Sequence, residues 1–459
     1  MRMVSTGRTR NSFCAGRLDR FIWVLPLRSH ELAVVVASDA EAQRQVSGAT
    51  RGALWSTMAQ TAPSAVGFPP TFVATILSGT GATGVEAHTA ESLGELSRAG
   101  VPAELVTPHS WHWPLALLWF APRRVLDKVA PTASVVWYRW SHGAALRRVL
   151  ARRLRNRPGA VVYAQCPVSA RAALRARRDA SQQVVMAVHF NVSQADEWAE
   201  KGMISPVGRS FRAIRRFERE VLQSVDALVY VSQAVQADVA GHVAGLEHVP
   251  SVVIPNFVRD GVRQRDPALA APADLVTVGS LEPRKNQRFL LEVLAEAARL
   301  GRRFSLDIIG EGSSRPALLQ RAHELGVADH VHFLGNRTDV RAQLPGHRLY
   351  VHASHYESFG IALIEAMSAG LPVLAGAVGG IPELFDDGRA GAFWPLDDPA
   401  EAARILVHLL EDLDALARAG ASCRARFLNF YSADRAGPRL VRFLTTLERG
   451  SEVTIPQRG

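Results

Sequence analysis

Short apolar runs alternate with amphipathic segments along the chain from Thr71 onward. Six runs in the first series are each long enough for one strand: TFVATILS, VPAELVT, AVVYAQ, VVMAVH, ALVYVS and SVVIP. The segments between them, such as VEAHTAESLGELSRAG, repeat their apolar positions with the period of a helix. This alternation is typical of a parallel sheet covered by helices. It predicts a Rossmann-like domain over residues 71–262.

A second series of the same kind begins near Asp274. Its strand candidates are DLVTVGS, FSLDIIG, HVHFLG, RLYVHAS and LPVLAG, separated by helical stretches such as QRFLLEVLAEAARLG. The predicted fold class is therefore α/β, with two doubly wound parallel-sheet domains that face each other across a cleft. The second domain is predicted over residues 272–430, followed by a C-terminal helix and tail over residues 431–459. Residues 1–70 lack sustained periodicity and end in the linker-like AQTAPSAVGFPP, so we expect a poorly structured extension there.

Composition narrows the class of protein. The chain has 459 residues and a net charge of +10 that comes from arginine, since its lysines are Lys128, Lys201 and Lys285. No apolar run reaches the roughly 18–20 residues that span a bilayer, and FIWVLPL has no signal-peptide cleavage site after it. The three cysteines have no C-x-x-C spacing, so neither a disulfide framework nor a zinc site is indicated. We expect a cytoplasmic protein that does not bind nucleic acid, because no DNA- or RNA-binding motif is present.

The stretch LSGTGATG follows the first predicted strand and contains Gly79, Gly81 and Gly84 in G-x-G-x-x-G spacing. A dinucleotide site also needs a carboxylate at the end of the second strand to bind the ribose, but that strand ends LVTPHSW. Glu104 lies inside the strand. The loop is therefore a candidate phosphate site formed by backbone N–H groups. A tight turn without a ligand remains the alternative.

The most specific pattern is HASHYESFGIALIEAMSAGLPVLAGAVGGIPEL. Glu357 and Glu365 flank Phe359, Gly360 and Ile361, which open a predicted helix. The unbonded N–H groups of a helix N-terminus attract an anion, and a carboxylate on either side can accept hydrogen bonds from sugar hydroxyls. A nucleotide sugar carries its groups in this order: sugar, diphosphate, ribose. An N-terminal cap followed by a solvated glutamate remains the alternative.

Two cations lie upstream in VGSLEPRKNQ. Arg284 and Lys285 follow the strand that ends near Gly279, where they can neutralise a diphosphate. The alternative is a solvated charge pair on a loop. No D-x-D sequence lies in a suitable loop, and the pairs at 386–387 and 397–398 have the context of ordinary turns. We therefore expect no metal and no other cofactor.

With these motifs the chain resembles the retaining glycosyltransferases of family 4, which have the GT-B fold and are related to glycogen synthase, sucrose synthase and bacterial mannosyltransferases. The resemblance rests on VGSLEPRKNQ, IIGEGSSRPALL, HVHFLGNRTDV and the block from Glu357 to Glu383. VVMAVHFNVSQADEW, VDALVYVSQAVQADV and VVIPNFV match the first half of such enzymes more loosely. The resemblance begins near Thr71. One departure is Ser280, where many members of the family have arginine.

The resemblance implies roles for individual residues. Glu357 would contact hydroxyls of the donor sugar and Glu365 the ribose, while His189 would lie beside the transferred sugar. The diphosphate would be held by a set of cations and backbone groups from both domains: Gly81, Gly84, Arg284, Lys285, Phe359, Gly360 and Ile361. The implied reaction is the metal-independent transfer of a hexose from a nucleoside-diphosphate sugar, with retention of configuration, in the synthesis of cell-surface polysaccharide or glycolipid. His189, Glu357 and Lys285 are the implied catalytic residues.

The first domain would bind the acceptor, a carbohydrate or a lipid-linked sugar. WHWPLALLWF, from Trp111 to Phe120, is rich in aromatic residues, and GRSFRAIRRFERE, from Gly208 to Glu220, carries several arginines. Such stretches suit peripheral contact with an anionic membrane at its inner face, or they are core aromatics and a solvated helix. A phosphorylase, a UDP-sugar epimerase and a non-catalytic nucleotide-sugar-binding protein remain alternative functions.

Overall fold

The computed structural model describes residues 68–78, 83–110, 119–190, 192–261, 273–337 and 340–447, together with two strands near the N-terminus. The chain divides after Gly67 into two compact units. In the first unit, strands β1 (Arg20–Leu27) and β2 (Glu31–Ser38) pair antiparallel over eight residues each. The sequence pattern had predicted no element in this region.

The first half of the second unit contains a six-stranded parallel sheet in the order β4-β3-β5-β6-β7-β8. Its strands are β3 (Thr71–Ala74), β4 (Ala103–Val106), β5 (Val161–Ala164), β6 (Gln183–Val188), β7 (Ala227–Tyr230) and β8 (Ser251–Val253). Each strand lies in one of the six predicted apolar runs. The connecting helices are α1 (Gly84–Arg98), α2 (Pro122–Val129), α3 (Pro131–Arg153), α4 (Pro167–Ala176), α5 (Gln194–Glu200), α6 (Arg209–Leu222) and α7 (Gln233–His242).

The second half contains another six-stranded parallel sheet, in the order β11-β10-β9-β12-β13-β14. Its strands are β9 (Leu275–Val278), β10 (Leu306–Ile309), β11 (Val331–Gly335), β12 (Leu349–His352), β13 (Val373–Gly376) and β14 (Ala392–Trp394). Its helices are α8 (Gln287–Arg299), α9 (Arg315–Glu324), α10 (Val340–Gln343), α11 (Ile361–Ser368), α12 (Ile381–Leu384), α13 (Pro399–Glu411) and α14 (Leu413–Arg426). The two parallel sheets confirm the predicted fold class. The edge strand β14 was not predicted.

The last helix, α15 (Ala433–Thr445), returns to the first half of the molecule. Its buried side chains Leu440 and Phe443 pack with Val73, Tyr163 and Val185 of the first sheet. Replacing a buried phenylalanine such as Phe443 by alanine typically costs about 3–5 kcal/mol of stability. The C-terminal helix is therefore part of the core of the N-terminal half.

Backbone hydrogen bonds join the segment just before α15 to the segment at Val258, where the chain leaves the first half for the second. Val258 donates its N–H to the carbonyl of Tyr431 at 3.2 Å, and its own carbonyl accepts from Ala433 at 2.9 Å. Beside this point the guanidinium of Arg424 donates to both carboxylate oxygens of Asp260, at 2.7 and 2.8 Å. A bidentate pair of this kind fixes orientation as well as distance. The chain thus passes between the halves twice, and the two crossings lie side by side.

All strands within each six-stranded sheet run parallel, so their carboxyl ends lie at one edge of that sheet. In open α/β sheets, ligands bind beside this edge. The loops after β3, β5 and β6 supply the candidate residues of the first half, and the loops after β9, β12 and β13 supply those of the second.

Candidate active site

Glu357 lies at the centre of a buried polar cluster in the second half. Its Oε1 is contacted by the ammonium group of Lys285, by Nε2 of His352 at 3.1 Å and by the hydroxyl of Ser354 at 3.1 Å. His352 is the last residue of β12, and Ser354 follows in the same loop. The carboxylate is therefore held from several sides before any ligand binds.

The charges in this cluster are set by the neighbours of each group. Burial alone would raise the pKa of Glu357, but Lys285, His352 and Arg284 hold that pKa well below its usual range. Burial lowers the pKa of His352 against the opposing effect of Glu357, so the imidazole is neutral and donates its Nε2–H to the carboxylate. Glu357 is thus an ionised hydrogen-bond acceptor at neutral pH.

Arg284 and Lys285 belong to a 3-10 turn at Pro283–Lys285, just after β9. Arg284 donates from its guanidinium to the carbonyl of Tyr356 at 3.2 Å, and its carbonyl accepts from the N–H of His355 at 2.9 Å. The turn and the Glu357 loop therefore hold each other in place. Ser280, the departure from the family pattern, lies on the same segment, and its carbonyl accepts from the Gln287 side chain at 2.9 Å.

Two glycines allow the Glu357 loop to lie against the segment after β13. Gly379 has a φ of +54°, and a Cβ placed there would lie 2.0 Å from the carbonyl oxygen of Glu357. The N–H of Gly380 donates to that same oxygen at 2.9 Å. Any side chain at Gly379 would displace the loop that carries Glu357.

The helix that follows, α11, presents an uncapped N-terminus. Gly360 adopts a left-handed conformation with φ of +90°, and no side chain caps the helix. The backbone N–H groups of Phe359, Gly360 and Ile361 donate to no described residue, whereas Leu363 donates back to Gly360 at 3.0 Å. Three unbonded amides at the positive end of a helix dipole form an anion site. Glu357, three residues before Gly360, contacts Lys285 of the 283–285 turn.

Glu365 lies further along α11 and is half-buried. Within the described residues its carboxylate forms no hydrogen bond or ion pair. Burial raises the pKa of Glu365 to about 7, with Arg341 opposing this rise and Glu91 adding to it. The group is therefore a half-buried polar acceptor that has no partner among the described residues.

The first glycine loop differs from this site. Gly81 lies outside the described residues. Gly84 starts α1 and faces the second half, since a Cβ placed on it would lie 3.4 Å from Cδ1 of Ile361. The N-terminus of α1 is already capped, because Thr83 accepts from the N–H of Glu86 at 3.3 Å and the Glu86 carboxylate accepts in return. Close approach across the cleft explains a small residue at 84.

His189 follows β6 and belongs to a neutral buried group. Its Nε2 lies 3.0 Å from Oε1 of Gln165, and its ring packs on His88 at a centroid distance of 4.9 Å. His88 is buried and bonds through Nε2 to the hydroxyl of Tyr163 at 3.2 Å. Burial lowers the pKa of His189 to about 4. Sequence reasoning found His189 but missed Gln165 and His88; Gln165 follows β5 at the same sheet edge, which was the available signal.

Polar contacts join the two halves beside the site. The hydroxyl of Ser232 donates to the carbonyl of Ser358 at 2.8 Å. The carboxylate of Glu383 accepts from the N–H groups of Gln233 and Ala234, at 2.8 and 2.5 Å. A side chain of the second half thus caps α7 of the first half. Glu383 was quoted in the family block, but its partners were not predictable from local sequence.

Two further contacts cross the same cleft. The hydroxyl of Tyr356 donates to the carboxylate of Asp238 at 2.9 Å, and the ammonium of Lys201 lies 3.5 Å from Glu282. The structure therefore shows the halves in contact, with the Glu357 loop enclosed between them.

The described residues contain no group of three or more histidine, cysteine, aspartate or glutamate side chains arranged to hold a metal ion. Asp398, in one of the acidic pairs noted above, caps α13 by accepting from the N–H groups of Ala400 and Glu401 at 3.0 and 2.9 Å. In the same described ranges, no helix is long and apolar enough to cross a membrane.

The aromatic stretch is described only at its end, because residues 111–118 lie outside the described residues. Trp119 stacks on Trp140 with ring centroids 5.1 Å apart. Helix α6, which contains most of the arginine-rich stretch, packs its Ile214 against Val135 of α3. The end of the aromatic stretch and the basic helix thus both pack against α3.

Two family models match the two halves of the molecule. The description "Glycosyl transferase 4-like domain" matches residues 83–257, and "Glycosyl transferases group 1" matches residues 272–412. The two matches together indicate a two-domain glycosyltransferase architecture. More particularly, the chain carries a glycosyltransferase 4-like domain followed by a glycosyltransferase group 1 domain.

The chain is similar to curated glycosyltransferases. A D-inositol 3-phosphate glycosyltransferase of Streptomyces scabiei is 30% identical over 233 residues, which cover 46% of this chain and 52% of the relative. A GDP-mannose-dependent alpha-(1-6)-phosphatidylinositol monomannoside mannosyltransferase of Mycolicibacterium smegmatis is 29% identical, over 59% of this chain and 72% of the relative. The matched part of the chain spans about half the length of the first of these relatives.

Solved structures agree in fold. HepE of Anabaena in complex with UDP superposes with a TM-score of 0.59 at 19% identity, covering 82% of this chain and 100% of HepE. Sucrose-phosphate synthase of Thermosynechococcus elongatus gives a TM-score of 0.62 at 16% identity, covering 82% of this chain and 98% of that enzyme. Both comparisons support a GT-B arrangement of two Rossmann-like domains.

Proposed function

We propose that the protein is a retaining, metal-independent glycosyltransferase. It transfers a hexose from a nucleoside-diphosphate sugar to a carbohydrate or lipid-linked acceptor in the synthesis of cell-surface polysaccharide or glycolipid. The observation that carries this proposal is the N-terminus of α11, whose first three amides have no partner among the described residues. On one side Lys285 contacts the ionised Glu357, and on the other lies Glu365, which also has no partner in the described part of the chain. The relatives named above support the same class of reaction.

In this proposal the donor lies along the start of α11. The amides of Phe359, Gly360 and Ile361 bind the diphosphate together with Lys285 and Arg284, because helix N-termini and cations both stabilise phosphate charge. Glu365 accepts hydrogen bonds from the ribose. The last residue of the proposed donor site, Glu357, accepts hydrogen bonds from the sugar hydroxyls.

Transfer breaks the bond between the anomeric carbon and the diphosphate oxygen and forms a bond from that carbon to the acceptor oxygen. The proton of the acceptor hydroxyl passes to the departing diphosphate, so the nucleoside diphosphate leaves protonated at that oxygen. The main requirement is stabilisation of the leaving charge, which fixed cations and backbone dipoles supply without reorganisation. Lys285, Arg284 and the α11 N-terminus meet this requirement without a metal ion.

His189 is proposed to contact the transferred sugar. Because burial keeps its imidazole neutral at physiological pH, it serves as a hydrogen-bonding group and not as a cation. Its contact with Gln165 fixes the ring orientation. This role requires only that the donor sugar reach the edge of the first sheet.

The test is release of nucleoside diphosphate from a panel of UDP- and GDP-sugars, with and without EDTA. Release that persists in EDTA and depends on an acceptor supports the proposal, and product NMR with an α-linked donor then shows whether the linkage is also α. Activity that is lost in EDTA and restored by Mg²⁺ or Mn²⁺ contradicts the metal-independent mechanism. Phosphorolysis of an oligosaccharide, or conversion of the donor to its epimer, would instead identify one of the alternative enzymes. Binding of a nucleotide sugar without turnover would identify a non-catalytic protein.

We also propose that the first half contacts an anionic membrane to reach a lipid-linked acceptor. Val136 and Trp140 on α3 are 51% and 53% exposed, and they line an apolar groove of about 790 Å³ between α2 and α3. Helix α2, which supplies Leu126 to this groove, also carries the basic residues Arg124 and Lys128. This combination of apolar and basic residues matches the composition of interfacial membrane helices.

Vesicle co-sedimentation tests this contact. Trp140→Ala is expected to reduce binding to vesicles that contain phosphatidylglycerol, because an inserted indole contributes apolar burial. Leu413→Ala, at an exposed apolar position of the second half, is the matched control and is expected to bind like the wild type. Equal binding of all three proteins, or binding that ignores lipid charge, would remove the membrane from the proposal.

A further inference from the structure

A pocket lined by arginine lies in the first half, between the ends of α3 and α4. Its volume is about 550 Å³, and seven of its eight lining residues are arginines. From the end of α3 come Arg147, Arg148, Arg152 and Arg155, and from the end of α4 come Arg175, Arg177 and Arg178. No motif of the proposed reaction uses these residues.

The pocket lies at the edge of the first sheet where its strands begin, opposite the edge that carries the active-site residues. Helix α3 leads into β5 and helix α4 leads into β6, so the arginines lie just before the amino ends of these strands. Gln165 and His189 follow the carboxyl ends of the same two strands. The length of the sheet therefore separates the pocket from the donor and acceptor cleft.

Among the described residues, ion pairs neutralise little of this charge. Arg177 forms an ion pair with Asp226, and Arg148 donates to the carbonyl of Ala144 at 3.3 Å and lies 5.4 Å from the ring centroid of Trp119. The other five arginines form no ion pair with any residue that the structure describes. Like charges around one concavity repel each other and create a positive potential in it.

The chemistry of the lining identifies the class of ligand. Guanidinium groups bind phosphate oxygens through paired hydrogen bonds, and arginine stays charged at all physiological pH values. Five uncompensated cations exceed what a single phosphate neutralises, and the cavity has room for more than one. We propose that this pocket binds a ligand with two or more neighbouring phosphate groups, at a site separate from the donor site.

Two sources can supply such a group: a soluble polyphosphorylated compound, or the headgroup of a membrane lipid with two phosphates. The second source has geometric support, since the exposed Trp140 and Val136 are on the same helix as four of the pocket residues. The experiment therefore has one arm for each source. Tripolyphosphate is the soluble probe, and vesicles of phosphatidylcholine with or without cardiolipin are the lipid probe.

The test variant is Arg152→Glu/Arg155→Glu in the full-length chain, which reverses two charges of the pocket. The matched control is the double variant Arg303→Glu/Arg418→Glu, which makes the same change in net charge at exposed arginines of the second half that form no ion pair with described residues. Titrations are made in a Lys285→Ala background, so that phosphate binding at the donor site is weakened equally in the pocket and control variants. The pocket variant is expected to bind at least one probe about tenfold or more weakly, and the control is expected to change binding by less than about twofold.

The result also separates a ligand site from a structural role. Because the arginines repel each other, the pocket variant is expected to melt at the same or a higher temperature than the wild type at low salt, and the phosphate probe is expected to raise the melting temperature of the wild type. If reversal unfolds the protein, Arg152→Gln/Arg155→Gln takes its place. Loss of tripolyphosphate binding identifies a soluble ligand, and loss of cardiolipin-dependent binding alone identifies a lipid. Equal loss in pocket and control variants, or no binding of either probe to the wild type, overturns the proposal.

Discussion

The two walls of the cleft hold their buried polar groups in opposite ways. On the wall formed by the second half, Glu357 is ionised because cations and a histidine surround it. On the wall formed by the first half, burial keeps His88 and His189 neutral, and their partners are the uncharged Tyr163 and Gln165. One wall is organised by charge and the other by hydrogen bonds between neutral groups.

This difference fits a division of tasks. Stabilising a leaving diphosphate requires fixed positive charge on one side of the substrate. A neutral wall on the other side contacts the sugar without competing for that anion. The comparison predicts that variants on the charged wall affect nucleotide binding most, and that variants on the neutral wall affect pH behaviour and geometry.

Lys285→Ala is expected to have the largest effect. It removes the ammonium group that contacts Glu357 and is proposed to bind the diphosphate, so turnover is expected to fall by about 100-fold or more. Affinity for the nucleoside diphosphate is expected to fall by about 1–3 kcal/mol, measured by calorimetry. Arg303→Ala removes an exposed cation of the second half that forms no ion pair with described residues, and it is the control. Unchanged affinity in Lys285→Ala would contradict the assignment of the charged wall.

The neutral wall predicts a dependence of stability on pH. His189 has a pKa of about 4 in the folded protein and near 6.5 when unfolded, so the unfolded chain binds more protons between these values. Stability is therefore expected to fall as the pH drops from 6.5 to 4, by up to about 3 kcal/mol for this one histidine. Denaturant melts of His189→Asn are expected to show a shallower dependence, whereas His248→Asn, at an exposed histidine, should follow the wild type. Parallel pH curves for all three proteins would show that the imidazole is not held neutral.

The pKa of Glu365, on the charged wall, predicts a dependence of stability on pH with the opposite sign to that of His189. Its folded pKa of about 7 lies above the usual value near 4.5, so the folded protein binds the extra proton and this group destabilises the fold as the pH rises through that window. The ionised form accepts hydrogen bonds from both ribose hydroxyls, so nucleotide affinity is expected to rise between pH 6 and 8. Glu365→Gln is expected to weaken binding by about tenfold and to remove this rise. Glu247→Gln serves as the control, and a rise that persists in Glu365→Gln would assign it to another group.

The contacts between the walls are expected to have the smallest effect. Ser232→Ala removes the hydrogen bond to the carbonyl of Ser358, which is worth about 0.5–1.5 kcal/mol. Donor affinity is expected to fall by that amount with little change in turnover, because closure and not the chemistry is weakened. Ser224→Ala, on the surface of the first half, provides the comparison. A larger loss of turnover than of affinity would place Ser232 in the chemistry itself.

Local patterns predicted the two parallel sheets, because a buried parallel strand is a short apolar run between helices. The strand β14 was missed, since its sequence AFW is too short to stand out. Lys285, Glu357 and Glu365 could be predicted as site residues because they lie close to recognisable strand and helix ends.

The partners of these residues depend on distant parts of the chain. The cap that Glu383 provides for α7 joins positions about 150 residues apart, and the Gln165–His189 contact joins two separate strands. The predicted C-terminal helix is present as α15, but its sequence alone does not indicate which of the two sheets it packs against. Whether a side chain meets its partner is decided by the packing of whole elements, which periodicity alone does not describe.

The return of α15 to the first sheet determines how the two halves can be separated and how they can move. A protein cut once in the linker would leave the first half without Leu440 and Phe443, so an isolated first domain would expose an apolar surface and aggregate. To fold alone, that domain needs α15 fused back to it. In the intact chain the two crossings are hydrogen-bonded to each other at Val258. We therefore expect the two halves to rotate about a hinge at this point when the cleft opens.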